Sequence, residues 1–512
     1  MRTPEATAAL AALLLFAALA VFGARVHRVE EAGSAERDGF VAKAEQILDG
    51  ELPRDPYRPL LYPLLIAGIA KLGVPPFAAA RLISNLSAAA LVWLAWAFGR
   101  RLGGPAAGFW AFALAAVNPN VWILGQHAST DMLFAALAAA ALYAGLVYLE
   151  RPSLGMAVAA GAFLGLAAFT RSNAPLLLPA LVVAWWLAGR PRRAWHLTVL
   201  LAAFLLFLIP HWALRAAAFG SPFHDDNWKN LAWKLHGYPD WSYLDRVPYT
   251  SGLEVIREDP LAVVQGGVSE LVRFFFGGGV SQLFGTWLHV LLLASGVVVA
   301  FRRPESRRST GWLLFAGGLF LTAIAFAFFT WGRLLLVLLP IGCGLSFVPW
   351  RRPGRTAHAV ALALVAVLAV KTFAFRLPAF VERHPYQEIA VLRRLDASLP
   401  RGAALAGTSP FLGRYLERPY VDLPDAFGRE IAEPRLWYEK VAPLLRRAGV
   451  GYLVAGPVDL RDRPPSLLAG SPPVPWLVPA GREDGVTVWR IDFAAAERPR
   501  QRTPPQLSRA PS

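Results

Sequence analysis

Cysteine and charge are what this sequence has least of. Its 512 residues include one cysteine, Cys343, so the chain can form no internal disulfide and no metal site built from several thiolates. Charged residues make up 17%, whereas soluble domains carry about 25%. Hydrophobic residues reach 55%, and apolar runs of about 20 residues, the length that crosses a bilayer, recur along the chain. The composition therefore predicts a polytopic membrane protein.

The sequence also lacks the phosphate-binding and hydrolase motifs of soluble enzymes. It holds no P-loop, no GxGxxG after a predicted strand, and no HExxH or GxSxG segment. The net charge of +16 would be compatible with nucleic-acid binding, but most of the excess is arginine in short clusters between apolar runs. Such clusters are typical of the cytoplasmic loops of membrane proteins. No basic-aromatic motif accompanies them, so we expect no nucleic-acid partner.

The arginine clusters predict which loops face the cytoplasm. Placing each cluster inside makes the apolar runs between them cross the membrane in pairs, and this gives about 11 transmembrane helices. The predicted spans are residues 6–22, 78–99, 105–125, 130–149, 154–170, 174–189, 195–213, 281–301, 311–330, 332–349 and 357–375. The odd number leaves the C-terminal tail on the extracytoplasmic side.

Two apolar segments are each compatible with more than one placement relative to the membrane. Residues 6–22 are compatible with a cleaved signal peptide or with a retained first helix, and the length of the run favours retention. Either choice leaves the next segment outside the cytoplasm. Residues 60–72 are short for a span and contain Pro63, which suits an interfacial or re-entrant helix.

The expected architecture is an all-α polytopic membrane domain followed by a small C-terminal α/β extracytoplasmic domain. Residues 1–375 form the first, with extracytoplasmic loops at 25–77 and 214–280, and residues 376–493 form the second. The tail, residues 494–512, is rich in Pro, Arg, Gln and Ser and is predicted to be disordered. Within the α/β domain, strands are expected at 403–406, 452–455 and 486–491, and helices near 386–398 and 436–448. The topology predicts a bacterial inner-membrane protein whose C-terminal domain is periplasmic.

Two carboxylates stand at positions where chemistry on the outer face is feasible. Asp38 begins an amphipathic helical pattern in the first outer loop, where the helix dipole favours a negative charge. Asp131 lies at the outer mouth of a predicted span, where an ionised group needs a partner. Each is also compatible with a simple N-terminal cap. His127, close to Asp131, is either a ligand or base, or a polar residue of the interface.

Two arginines depart from the cytoplasmic pattern. Arg171 and Arg333 both fall on the predicted outer side. A guanidinium there either extends toward the interface without further function or binds a phosphate, whose oxygens match its planar fork. Two carboxylates and two arginines at one membrane face suit a reaction on an anionic lipid.

Several segments, taken in order, resemble the C-type glycosyltransferases. The nearest resemblance is to the group of dolichyl-phosphate-mannose protein mannosyltransferases and aminoarabinose transferases, and it covers roughly residues 5–350. The segments are Asp38 with Ala44 and Gly50, then residues 58–65 (RPLLYPLL), 80–84 (ARLIS), 118–131, 165–171 (GLAAFTR) and 333–340. Ser172 and Leu334 stand where the family usually has proline and tyrosine, and Asp38 is not followed by glutamate.

This resemblance implies a glycosyltransferase that uses a polyprenyl-phosphate-linked sugar, hexose or pentose, and acts on the extracytoplasmic face. The acceptor stays open among glycan, lipid and protein. By family analogy Asp38 is the catalytic base of an inverting displacement, and Asp131 assists it. The resemblance also implies substrate-binding roles for Arg58 and Tyr62 beside His127, Arg171 and Arg333. A divalent metal bridging Asp38 and Asp131 is compatible with the family, but no cofactor is predicted with certainty.

Two other classes of function compete with this interpretation. A transporter or flippase for a lipid-linked sugar would also be polytopic, but transporters often show internal repeats and broken helices near the midplane, and the sequence shows no repeat. A non-catalytic assembly protein that binds through its tail domain is the third class. Activity of the purified protein on a polyprenyl-phosphate sugar separates all three.

Overall fold

The computed structural model shows a helical unit followed by a separate small unit with a sheet. It describes residues 4–26, 39–55, 57–189, 194–236, 249–350, 354–382, 394–395, 397–400, 402–407, 418–422, 442–455, 476–483 and 486–494. The first unit comprises residues 1–30, 35–237 and 246–383, and most of the second lies in 384–512. The predicted architecture, a membrane domain followed by a small α/β region, is confirmed.

The described part of the helical unit contains nineteen α-helices, which include helical segments in each of the eleven predicted spans. They are α1 (Pro4–Val26), α2 (Phe40–Leu48), α3 (Leu61–Ala70), α4 (Pro76–Gly103), α5 (Pro105–Ala116), α6 (Pro119–Gly125), α7 (Thr130–Glu150), α8 (Leu154–Thr170), α9 (Leu178–Leu187), α10 (Ala194–Phe219), α11 (Lys229–His236), α12 (Gly252–Glu258), α13 (Pro260–Phe276), α14 (Gly279–Phe284), α15 (Trp287–Arg302), α16 (Pro304–Ala327), α17 (Leu338–Ser346), α18 (Arg355–Val370) and α19 (Leu377–Glu382). Short 3₁₀ helices lie at Ala174–Leu177, Gly332–Leu335 and Val348–Trp350, and a π-helical stretch, Lys371–Arg376, joins α18 to α19.

Six helical segments among the described residues are long and apolar enough to cross a membrane. They are α1, α4, α7, α10, α16 and the continuous stretch from α18 into α19. The α5–α6 pair gives a seventh if it is counted as one bent span. Four further apolar helical segments are shorter, among them α3, α8 and α15. The count of 11 crossings therefore stays a prediction.

The bend between α5 and α6 has a cause in the sequence. The two helices meet at 54° across a short break, and Pro119 is the first residue of α6. Proline has no N–H to continue the hydrogen-bonding of the preceding helix. The Asn118 side chain instead accepts a hydrogen bond from the Asn120 N–H at 2.9 Å and caps the new helix. The bend turns α6 toward the start of α7.

Helices α8 and α10 approach so closely that only glycine fits between them. A Cβ atom on Gly161 would lie 2.1 Å from the Leu200 carbonyl oxygen, and one on Gly165 would lie 2.6 Å from that of Phe204. Small residues at such crossings let helix backbones pack together in a membrane. This packing fixes the end of α8, where Arg171 follows.

Both predicted outer loops contain helices. In the first, α2 begins at Phe40, and its buried residues include Phe40 and Val41. Phe40 packs edge-on against Tyr62 of α3, with ring centroids 5.4 Å apart. In the second, α13 buries Glu270 and Phe274. Its exposed residues include Leu261, Val264, Val268, Val272 and Phe276.

The C-terminal unit contains a five-stranded sheet in the order β2-β1-β3-β5-β4. Its strands are β1 (Ala404–Gly407), β2 (Tyr420–Asp422), β3 (Val450–Ala455), β4 (Leu477–Glu483) and β5 (Val486–Ile491), with α20 (Ala442–Arg447) before β3. Strands β2, β1 and β3 are parallel, and β5 and β4 add on in antiparallel fashion. The three predicted strands and the helix near 436–448 are confirmed, while β2 and β4 were not predicted. Most of the predicted helix near 386–398 (residues 386–393) and nearly all of the predicted disordered tail (residues 495–512) lie outside the described residues.

Candidate functional site

A buried ion pair lies at the N-terminal end of α7, which is the predicted outer end. The Asp131 side chain is 2% exposed and forms an ion pair with Arg171, whose side chain is 22% exposed. Its second oxygen accepts a hydrogen bond from Ser129 Oγ at 3.0 Å. The N-cap position of α7 belongs to Ser129, so the Asp131 carboxylate binds side chains rather than acting as the cap residue. An ionised carboxylate that is buried in the protein requires such partners.

The second arginine approaches the same carboxylate. Arg333 lies in the 3₁₀ helix Gly332–Leu335, half-buried, with its guanidinium carbon 5.1 Å from the ring centroid of Trp331. Its positive charge acts on Asp131. No described residue forms a hydrogen bond or ion pair with the Arg333 side chain, so its N–H groups are available to an anion. The structure thus brings Asp131, Arg171 and Arg333 together.

A second charged cluster lies in the first predicted outer loop, centred on Asp55. The carboxylate of this buried residue binds Lys43 Nζ at 2.5 Å and accepts the backbone N–H groups of Tyr57 and Arg58 at 2.8 and 2.9 Å. Burial disfavours the ionised form, but the charges of Lys43 and Arg58 outweigh it, so the pKa of Asp55 lies below its usual value. The turn orients the backbone at Arg58. No role was predicted for Asp55, although an aspartate before proline is a typical turn signal.

Arg58 lines a small cavity against α10. Asp55, His211, Arg215 and Phe219 line it as well. Arg215 is 4% exposed and lies within electrostatic reach of Asp55 and of two aspartates, 225 and 226, that follow α10. No role was predicted for this arginine, because the predicted span ended at residue 213, whereas α10 continues to Phe219.

Asn227 connects the two clusters. Its side-chain amide nitrogen lies 2.5 Å from the Tyr57 carbonyl oxygen and 3.1 Å from Ser172 Oγ. Tyr57 precedes Arg58, and Ser172 follows Arg171. The segment after α10 therefore holds the two arginine-bearing loops together on one face of the helical unit. Nothing in the sequence around Asn227 indicated this role.

Tyr62 and His127 occupy packing positions in this structure. The Tyr62 hydroxyl donates to the Ala80 carbonyl oxygen at 2.9 Å and lies 2.9 Å from Ser84 Oγ, with the side chain fully buried. Ser84 in turn donates to the His127 carbonyl oxygen at 2.7 Å. The His127 ring packs against Phe380, with centroids 5.8 Å apart. Their predicted contacts with substrate stay predictions.

Asp38 lies outside the described residues. The residue after it, Gly39, has φ of 67°, a left-handed conformation that suits glycine, and α2 begins directly afterwards. Within the described ranges, no three His, Cys, Asp or Glu residues are grouped to hold a metal. The role of Asp38 as base and the bridging metal both stay predictions.

Comparison with known proteins supports the predicted resemblance. Residues 57–213, which include Arg58, Asp131 and Arg171, match the family model for dolichyl-phosphate-mannose-protein mannosyltransferase. No curated protein matches the chain significantly.

Solved structures show the same fold at low identity. The crystal structure of ArnT from Cupriavidus metallidurans bound to undecaprenyl phosphate is 15% identical, with a TM-score of 0.61 over 94% of this chain and 98% of that one. Its apo form is 16% identical, with a TM-score of 0.56 over 95% and 99%. The Archaeoglobus fulgidus oligosaccharyltransferase tethered to an acceptor peptide is 12% identical, with a TM-score of 0.50 over 87% and 69%. The resemblance to C-type glycosyltransferases is confirmed, and the fold is that of ArnT.

Proposed function

We propose that this protein is an integral membrane glycosyltransferase that moves a sugar from a polyprenyl-phosphate-linked donor to an acceptor on the extracytoplasmic face. The observation that carries the proposal is the buried Asp131–Arg171 pair with Arg333 beside it. Two supports come from the comparisons: the mannosyltransferase family match spans this pair, and a protein of the same fold was crystallised with undecaprenyl phosphate.

The charges of this site suit a lipid phosphate. Asp131 neutralises one of the two guanidinium groups, so one positive charge remains. The leaving group of the proposed reaction is a phosphate whose negative charge grows as the bond to the sugar breaks. Fixed cationic donors at that point stabilise the transition state more than the ground state. Arg333, stacked on Trp331, is held in place to supply such donors, and Arg58 lies in a loop tied to the same face.

The proposed chemistry is a single displacement. The acceptor hydroxyl oxygen forms a bond to the anomeric carbon while the bond from that carbon to the phosphate oxygen breaks, which inverts the configuration. A sugar hydroxyl is a poor nucleophile, so a carboxylate must take its proton as it attacks. We assign this role to Asp38, on the family resemblance. Because the donor carries its own lipid phosphate, the reaction needs no nucleotide-binding loop.

The proposal places the protein in the bacterial inner membrane with its C-terminal domain in the periplasm. The donor sugar is a hexose or a pentose, and the acceptor is a glycan, a lipid or a protein. In this arrangement the polyprenyl chain of the donor stays in the apolar interior of the bilayer, and its phosphate reaches the outer face.

Kinetics of arginine variants test the proposal. Arg171→Ala and Arg333→Ala should each raise the donor KM and lower kcat, since the phosphate charge grows in the transition state. Lysine at either position should rescue only in part, because it lacks the bidentate fork. Arg302→Ala, an exposed arginine at the end of α15, is the matched control. Unchanged kinetics in both alanine variants would refute the assignment of the phosphate to this site.

A further inference from the structure

A buried carboxylate links α13 to the turn that carries Arg333. Glu270 is 7% exposed and lies on the inner face of α13, sixty positions before Thr330. Its Oε2 accepts the Thr330 backbone N–H at 2.9 Å and the Thr330 hydroxyl at 3.0 Å. Arg273, one helical turn further along α13, donates to the same oxygen at 2.7 Å. Thr330 is thus held through both its backbone and its side chain.

The turn is held by a second element as well. Trp233 of α11 packs edge-on against Phe329, with ring centroids 5.3 Å apart, and against Trp331 at 6.4 Å. From Trp331 the chain enters the 3₁₀ helix directly, because the Leu334 N–H donates to the Trp331 carbonyl oxygen at 2.9 Å. The conformation of Thr330 and Trp331 therefore sets where the Arg333 side chain starts and which ring it stacks on.

The free-energy cost of burying the Glu270 carboxylate indicates that this residue has a role beyond packing. A buried carboxylate is unfavourable unless it is paired and hydrogen-bonded, and fixing a loop end requires no charge. The charged acceptor gives shorter and stronger hydrogen bonds than a neutral one. These hydrogen bonds fix the turn at Thr330, three positions before Arg333. The Arg333 guanidinium itself forms no hydrogen bond or ion pair among the described residues.

We propose that Glu270 is a positioning residue for Arg333. It holds the turn before the 3₁₀ helix so that the guanidinium faces the Asp131–Arg171 pair and is ready for the donor phosphate. This inference rests on the proposed function, and it adds to it a residue of α13 that lies outside the segments on which the resemblance was based and outside the matched residues 57–213.

A kinetic double-mutant cycle tests the proposal. Glu270→Ala should raise the donor KM and lower kcat/KM at least about tenfold, because hydrogen bonds to charged groups are lost. In an Arg333→Ala background the same change should have almost no further effect on donor kinetics, since Glu270 acts through Arg333. Glu258→Ala, an exposed glutamate on α12 of the same segment, is the matched control.

A milder variant keeps the test decisive if Glu270→Ala lowers the yield of folded protein. Thr330→Val removes the hydroxyl but keeps the backbone N–H, and Thr330→Ser restores the hydroxyl. We expect a raised donor KM in Thr330→Val and recovery in Thr330→Ser. Equal losses from Glu270→Ala with and without Arg333, or a normal donor KM in Thr330→Val, would overturn the positioning role. Absence of any transfer by the wild-type protein would instead refute the proposed function.

Discussion

The Asp131–Arg171 ion pair predicts an asymmetric response to mutation. Removing Arg171 leaves a carboxylate that is 2% exposed with Ser129 as its remaining hydrogen-bond partner among those described above. Stranding a buried charge in this way costs about 3–5 kcal/mol. Removing Asp131 leaves a guanidinium that is 22% exposed and can be hydrated. That loss should be smaller, about 1.5–3 kcal/mol for a hydrogen bond between charged groups.

The double variant gives the sharpest comparison. Arg171→Ala combined with Asp131→Ala removes both charges, so no unpaired carboxylate remains buried. We therefore expect it to be more stable than Arg171→Ala alone, with a coupling energy of about 0.5–3 kcal/mol. The assay is the midpoint of thermal denaturation of the purified protein in one detergent. Arg151→Ala, an exposed arginine just beyond the other end of the same helix, controls for loss of an arginine.

The order of the midpoints decides the outcome. We expect wild type and Arg151→Ala to have the highest midpoints and Asp131→Ala to have a lower one. Arg171→Ala should have the lowest midpoint of all, below that of the double variant. Additive losses in the double variant, or an Asp131→Ala protein less stable than Arg171→Ala, would show that the two side chains do not form a buried pair.

Three further predictions follow from other parts of the structure. Gly161→Ala should destabilise the protein by about 1–3 kcal/mol, because its Cβ would lie 2.1 Å from a carbonyl oxygen of α10. Gly155→Ala is the control and should be tolerated, because no heavy atom lies within 4 Å of the added Cβ. Equal thermal midpoints for the two variants would contradict the close packing of α8 against α10. The pKa of Asp55 is lowered from its ordinary value of 3.8, so the stabilisation that its charge contributes is present above that value and is lost as the pH falls through the folded pKa. The gap in thermal midpoint between wild type and Asp55→Asn should therefore be clear near neutral pH and should narrow as the pH falls below 3.8. A gap that is independent of pH would contradict the pairing with Lys43. Reporter fusions after Arg193 and after Phe375 should report cytoplasm and periplasm respectively, and both on one side would refute the topology.

Local patterns predicted the elements of the fold well. Apolar run length located the helices, because each apolar segment must satisfy its own backbone hydrogen bonds in lipid. Three strands of the sheet were predicted from short apolar runs, whereas β2 and β4 were not: β2 has three residues, and β4 carries Pro479 and Gly481, which weaken a strand signal. The amphipathic α13 was taken as part of a loop, since many of its exposed residues are apolar and its buried face carries a glutamate.

The site was predictable to the extent that charge stood out against an apolar background. Arg171, Arg333 and Asp131 were identified because charged residues at the outer ends of spans are costly and need a reason. Asn227 and Glu270 could not be found this way, because both lie in the predicted outer loop 214–280, where a polar or charged residue is ordinary. Their partners, Ser172 and Thr330, are 55 and 60 positions away, and nothing in a single sequence indicates pairings over that distance.

The central claim is that the protein transfers a sugar from a polyprenyl-phosphate carrier, and donor turnover tests it most directly. Purified protein in liposomes would be given an undecaprenyl-phosphate-linked sugar and an envelope lipid or glycan extract, and release of undecaprenyl phosphate would be measured. We expect release by the wild type and a loss of about 10²–10⁴-fold in Asp38→Asn, the range typical for removal of a general base, with donor binding retained. Movement of the intact donor across the bilayer without release of undecaprenyl phosphate would contradict the account and identify a flippase.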